Sequence, residues 1–234
     1  MSAISRASER ILTAAGAWSL LDASRVAPYQ AMRVWHEGAA PDGADALCFE
    51  AAAIAERDLG AIVENRNLQQ AALRAFESGG GRLSREVLQG LEPGAEAVLV
   101  QTAAATYRTR LLVGADGAAS PVREALGIST TVRDYGERAL VATVECALPH
   151  QSTAWQVFLS TGPLALLPLP DGRCSMVWSA VDDEASRLLA LAPEAFGIAL
   201  TRASGGVLGD RYLVLRDRQL HLEDALGLTG LDQH

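Results

Sequence analysis

Lysine is absent from this chain of 234 residues. All 20 basic residues are arginine, against 28 acidic ones, for a formal net charge of -8. No basic cluster neutralises phosphates, so nucleic acid is excluded as a partner. The all-arginine usage reads as the coding bias of a GC-rich genome rather than as surface chemistry. Cysteine is scarce as well. Cys48, Cys146 and Cys174 are odd in number, far apart and without C-x-x-C spacing, which argues against a disulfide framework and a zinc site. A reducing, cytoplasmic setting is the default. No stretch reaches the roughly eighteen apolar residues needed to span a bilayer. The opening "MSAISRASERILTAAGAW" has no basic lead before an apolar core, so no secretory signal is expected there. His36, His150, His221 and His234 show neither metal spacing nor a nucleophile pattern, and none is assigned to catalysis.

What is present is a 49% hydrophobic chain able to bury a sizeable core. Ile4, Ile11, Leu12, Ala15 and Trp18 share a helical face, which predicts an opening helix from Ser2 to Trp18. Two short strands are expected at 31–37 and 47–54, paired as a hairpin or ribbon across "GAAPDGAD". Residues 59–81 read as a helix, with Leu68, Ala72, Leu73 and Phe76 in phase and three glycines at its end. Three strand runs follow, the last being "TYRTRLLVGAD", so 59–128 reads as a layered α/β unit. A boundary is expected near 129–137. Four strands at 138–148, 153–160, 163–170 and 174–181 then predict an antiparallel sheet, with Trp155, Phe158 and Trp178 in its core, a substrate-facing role being the alternative for either Trp ring. Pro168 suggests an edge or bend. Two helices follow, one after Asp182-Asp183 and one from Pro193, and 210–222 returns as a fifth strand.

The sharpest local feature is "LLVGADGAASPVREALGI", 111–128, an apolar strand running into Gly-Ala-Asp-Gly and a short helix. Glycines let the backbone approach a ligand, and a carboxylate at the strand's end can bind a sugar hydroxyl. Ser120 is placed to cap the helix and Pro121 to start it, leaving backbone N–H groups for an anion. An ordinary tight turn is the alternative on these residues alone.

"GADGAASPVREALGI" resembles the second flavin-binding signature of class A flavoprotein aromatic monooxygenases. The stretch 154–179 is similar to the substrate-domain sheet of their ubiquinone-biosynthesis branch, the UbiH/VisC-type hydroxylases. "LGAIVENRNLQQAAL" resembles the helix beside the flavin, and "SERILTAAGAW" the helix after the first ribose-binding region. The resemblance runs to about residue 210. It implies a mixed α/β (α+β) fold. A partial FAD-binding domain (1–24 and 59–130) would interleave with an antiparallel-sheet substrate domain (25–58 and 131–222), followed by an atypical tail (223–234). It places Gly114, Asp116 and Gly117 near the ribose and pyrophosphate of FAD, Asn65 beside the flavin, and Arg123 near a phosphate or in an ion pair.

The implied activity is hydroxylation of a polyprenyl phenol or benzoquinol by O₂. NAD(P)H reduces FAD, and a hydroperoxide at flavin C4a transfers the oxygen. The implied partners are that aromatic substrate, a peripheral membrane contact, and a homo-oligomer or a ubiquinone-biosynthesis complex. The family's N-terminal Gly-x-Gly-x-x-Gly unit and late Gly-Asp motif are not found here. The further expectations are therefore a shortened, non-catalytic paralogue that binds quinone lipid or serves assembly, or a truncated piece of a longer gene.

Overall fold

Short apolar runs broken by Gly, Pro and Asp give many strands and few long helices. The computed structural model describes residues 1–210, 212–214 and 221–228. Its strands are β1 (Ser2–Ser5), β2 (Val26–Tyr29), β3 (Ala31–His36), β4 (Leu47–Glu50), β5 (Gly60–Val63), β6 (Leu88–Pro93), β7 (Val98–Thr102), β8 (Thr106–Thr109), β9 (Val132–Cys146), β10 (Thr153–Leu159), β11 (Gly162–Pro168), β12 (Cys174–Val181), β13 (Tyr212–Val214) and β14 (His221–Leu228). The α-helices are α1 (Arg6–Ala14), α2 (Asn65–Ser78), α3 (Pro121–Ala125), α4 (Asp182–Leu189) and α5 (Pro193–Ala203). Contacts group Met1–Gly81 with Gly136–Ala225 in one compact unit and set Arg82–Tyr135 in another. This grouping concerns packing, and the division into cofactor and substrate segments concerns binding.

The larger unit is organised by an eight-stranded sheet in the order β13-β9-β12-β11-β10-β3-β4, with β14 also on β9. The four strands expected between 138 and 181 are present and antiparallel. Their turns carry Gly162 at φ +133° and Gly172 at φ +85°. A side chain at Gly162 would also strike the Ser179 carbonyl. β3 and β4 pair antiparallel as expected, and β3 joins β10 in parallel. Pro168 pairs with Cys174 beyond the last β10 partner, Leu166, so its missing N–H leaves no gap between β10 and β11. Of the return strand expected over 210–222, Tyr212–Val214 pairs with β9. Residues 211, 215–220 and 229–234 lie outside the described residues.

Alternation along these strands sorts the sheet's two faces. Leu140, Ala142, Val144, Val157, Leu164, Leu166, Met176 and Trp178 share one face, and α4 and α5 close it with Ala185, Leu188, Phe196 and Leu200. Each fully buried aliphatic side chain there contributes roughly 1.5–3 kcal/mol. Asp182, Asp183 and Glu184 occupy the first turn of α4 and Pro193 begins α5, as the sequence predicts.

A smaller sheet has the order β1-β5-β2. Here two expectations are corrected. Ser2–Ser5 is a strand, not the first turn of a helix, because it pairs with β5 and Ser5 caps α1 by accepting the Ser8 N–H. Gly60–Val63 is likewise a strand, not the start of the 59–81 helix. Its backbone is paired on both sides, by β1 and β2, and all four residues are buried. Ala61 and Val63 pack toward Leu12, Trp18 and Leu68, while Ile62 packs with Leu169. The buried face of α2 runs through Asn67 and Ala71, leaving Phe76 52% exposed. Asn67 accepts the Asp22 N–H at 3.0 Å and donates to the Asp22 carbonyl at 3.1 Å, clamping α2 to the preceding loop.

The unit 82–135 contains the meander β6-β7-β8 and α3. Glu86 ties it together. Its carboxylate accepts hydroxyl donors from Ser84 at 2.5 Å, Tyr107 at 2.6 Å and Thr102. These bonds favour the ionised form and hold Glu86 down to about 2.

Candidate functional site

The Asp-Gly turn belongs to the unit 82–135. Leu111–Val113, expected as a strand leading into it, is not one. No described strand pairs with it, and Leu111 and Val113 stay 74% and 71% exposed. Backbone groups without a neighbouring ladder do not settle into a strand. Past this segment the expectation holds: Ser120 caps α3 and Pro121 stands in its first turn.

Asp116 organises the turn. Its Oδ1 accepts the Ser120 hydroxyl at 2.5 Å and its Oδ2 accepts the Val122 N–H at 3.0 Å. Ser120 Oγ in turn accepts the Arg123 N–H at 3.0 Å, and the Ser120 carbonyl accepts the Glu124 N–H at 3.1 Å. The Ser120 and Val122 bonds hold the Asp116 carboxyl below the usual carboxylate range. These contacts correct one expectation: the N–H groups of Val122, Arg123 and Glu124 are already engaged and are not a free anion site. Arg123 also has a local role, since its guanidinium donates to the Ala118 carbonyl at 2.5 Å.

What the turn offers is an exposed backbone and a fixed carboxylate. Gly117 sits at φ +88°, and a Cβ built on Gly114 would lie 3.1 Å from Val122 Cγ1, so Gly114 permits the close return of α3. Each Asp116 oxygen spends one acceptor direction on the turn and keeps one for an outside hydroxyl. This donor and acceptor set fits a ribose rather than a phosphate.

Asn65 lies in the other unit, as the first residue of α2. It is exposed, and its Oδ1 accepts the Ser2 hydroxyl at 2.6 Å, joining β1 to α2. Gly114, Asp116, Gly117 and Arg123 are thus brought together within one unit.

The eight-stranded sheet supplies a second feature. Opposite the helix-covered face, Met32, Val34, Gln156, Phe158, Ala165, Val141 and Val177 alternate with the buried set. β4 extends this face, because Phe49 pairs with Met32 and Leu47 with Val34. Leu47 is 60% exposed, Phe49 50% and Phe158 50%. The expectation that Phe158 fills the core is therefore corrected: it stands on the face without helices. Trp178 does fill the core, edge-on to Phe196, and Trp155 is partly buried edge-on to Trp35. The Gln156 side-chain amide is a polar group amid this apolar face and makes no hydrogen bond to another described residue. The pairing of β3 with β10, more than a hundred residues apart in sequence, creates this surface. No local signal in the sequence reports it.

Other features are structural. A cleft of about 440 Å³ lies on the helix side, but its Glu184 and Arg187 pair with each other and its Glu37 accepts the Ser160 N–H. His150 accepts the Ser152 N–H at Nδ1 and donates from Nε2 to the Leu169 carbonyl, which fixes a turn. Among the described residues no group of His, Cys, Asp and Glu could hold a metal ion.

Comparison with known proteins places these features in context. No family model matches the chain. It is 38% identical to ubiquinone hydroxylase UbiL of Rhodospirillum rubrum over 254 residues, covering 100% of this chain and 56% of that protein. It is 32% identical to the mitochondrial ubiquinone biosynthesis monooxygenase COQ6 of Mus musculus over 220 residues, 87% of this chain and 44% of that protein. Among solved structures, PqsL of Pseudomonas aeruginosa, described as a probable FAD-dependent monooxygenase, superposes with a TM-score of 0.73 at 22% identity. The match covers 91% of this chain and 62% of that one. The chain spans about half the length of the curated relatives it matches.

Proposed function

We propose that this chain, a homologue of the ubiquinone-biosynthesis hydroxylases over about half of their length, serves an FAD- and NAD(P)H-dependent monooxygenase that hydroxylates a polyprenyl phenol or benzoquinol. The observation that carries this reading is the two-faced sheet. One face is closed by α4 and α5, and the other presents Met32, Val34, Phe49 and Phe158 as an apolar wall. A flat aromatic head group buries well on such a surface, and an apolar wall keeps water from the reacting ring. Gln156 is placed to hydrogen-bond the ring's hydroxyl, which orients it.

At the Asp-Gly turn, Asp116 would accept a ribose hydroxyl of FAD while the exposed backbone of Gly114–Gly117 lies along the cofactor. Ser120 and Arg123 act through Asp116 and Ala118 by fixing the turn. Reduced FAD reacting with O₂ supplies the oxygen-transfer chemistry. The protein's part is orientation and a dry surface, which accounts for the lack of a conspicuous general acid or base. A polyprenyl tail gives a reason for peripheral membrane contact, and no described helix is long and apolar enough to cross a membrane.

The test supplies the purified chain with FAD, NAD(P)H and a short-chain polyprenyl phenol under ¹⁸O₂. A product carrying one ¹⁸O atom supports the reading, and a KM raised several-fold by Gln156→Leu with little change in kcat supports its role in orientation. Binding of the phenol without any labelled product would favour a non-catalytic protein and overturn the proposal.

A further inference from the structure

Two of the three thiols meet inside the larger unit. Cys174 begins β12 and Cys146 ends β9. The register pairs Cys174 with Val144, so Cys146, two residues further along the same face, is its diagonal neighbour across the strands. Cys146 packs against the buried cluster that contains Cys174. The two thiols differ sharply in access. Cys174 is 0% exposed, whereas Cys146 is half-buried and can be reached from solvent. The contact with Cys174 lowers the Cys146 thiol, while Cys174 is pushed up by the contact with Cys146 and by burial. Cys48 is exposed and far along another strand, with Glu50 as its neighbour.

We infer that Cys146 and Cys174 form a peroxide-sensitive thiol pair, with Cys146 the attacking and Cys174 the resolving sulfur. In the first step the Cys146 thiolate attacks an oxygen of hydrogen peroxide, the O–O bond breaks, and Cys146 sulfenic acid and hydroxide result. In the second, the Cys174 sulfur attacks the Cys146 sulfur, the S–O bond breaks, and the disulfide forms as water leaves. The Cys174 proton leaves in that water, and the hydroxide of the first step takes up the proton that Cys146 gave up on ionising, so the two thiols lose two electrons in all and peroxide is reduced to two waters. The arrangement suits the order of events, since the oxidant reaches only the outer sulfur and the inner one lies against it. Cys146 is held by its pairing with Tyr212, so closing the bond draws on the start of β12, which emerges from the Pro170-Asp171-Gly172 turn.

The experiment treats the whole chain with about one equivalent of hydrogen peroxide and follows thiol count and intact mass. The expected result is a fall from three free thiols to one. It is accompanied by a mass loss of about two daltons, a Cys146–Cys174 cross-linked peptide in a non-reducing digest, and full reversal by dithiothreitol. Cys48→Ser keeps the mass loss. Cys146→Ser abolishes it, and Cys174→Ala leaves a Cys146 sulfenic acid that dimedone traps. The two variants remove opposite partners, so a folding failure in one leaves the other informative. Conversion of wild-type Cys146 straight to sulfinic acid, or the same mass loss in Cys146→Ser, would overturn the inference.

Discussion

The two faces of the large sheet make a quantitative demand on stability. Leu166 is 1% exposed and lies between Trp155 of β10 and Met176 of β12 on the helix-covered face. Leu166→Ala removes its transfer free energy and leaves a cavity that the surrounding strands cannot close, at a cost of about 2–5 kcal/mol. Phe158 is the larger side chain but remains 50% exposed on the opposite face. Truncating it forfeits only the buried half of its surface and opens no enclosed cavity, so Phe158→Ala costs about 1 kcal/mol. The smaller residue is thus the more costly to truncate. Urea unfolding of the two variants measures this directly, because the midpoints shift by different amounts at a common slope. Equal losses would mean that both faces are closed, and the reasoning that assigns one of them to substrate would fail.

Two further outcomes follow from particular contacts. Asn67→Ala removes two hydrogen bonds to the Asp22 backbone, leaving its N–H without a protein partner and its carbonyl with only the Arg25 N–H. It should cost about 1–3 kcal/mol in urea or thermal unfolding, and a loss below a few tenths would show the clamp to be idle. Glu86 is held down to about 2 from an ordinary value of 4.5. Its stabilisation of the meander is therefore complete above the ordinary value and fades as pH falls toward 2. Hydrogen exchange across 88–109 should accelerate over that window in the wild type and show no such step in Glu86→Gln. An identical acid response in both would remove Glu86 from the account.

How much of this was legible in sequence depends on how local its cause is. The antiparallel strands from 138 to 181 announce themselves through apolar runs and Gly-containing turns, and Ser120-Pro121 announces α3. The errors share one origin. Ser2–Ser5 and Gly60–Val63 continue the helical pattern of their neighbours, yet they pair with each other across more than fifty residues. Leu111–Val113 has strand composition but no described partner, and composition alone does not pair a backbone. The sequence marks Asp116 as a carboxylate available to a sugar hydroxyl. Its use as an acceptor for Ser120 and Val122 depends on how tightly α3 folds back, which no spacing rule conveys. The apolar face was invisible for a similar reason, since it exists only once β3 lies beside β10.

The central claim is that the Asp116 turn holds flavin in an oxygen-transferring protein. Its most direct test incubates the purified chain and its Asp116→Ala variant with FAD, passes each through gel filtration, and records absorbance near roughly 450 nm, the flavin band. The account predicts a retained band in the wild type and its loss in the variant, with both proteins folded by circular dichroism. A folded, colourless wild type, or a band of equal strength in the two, would contradict it.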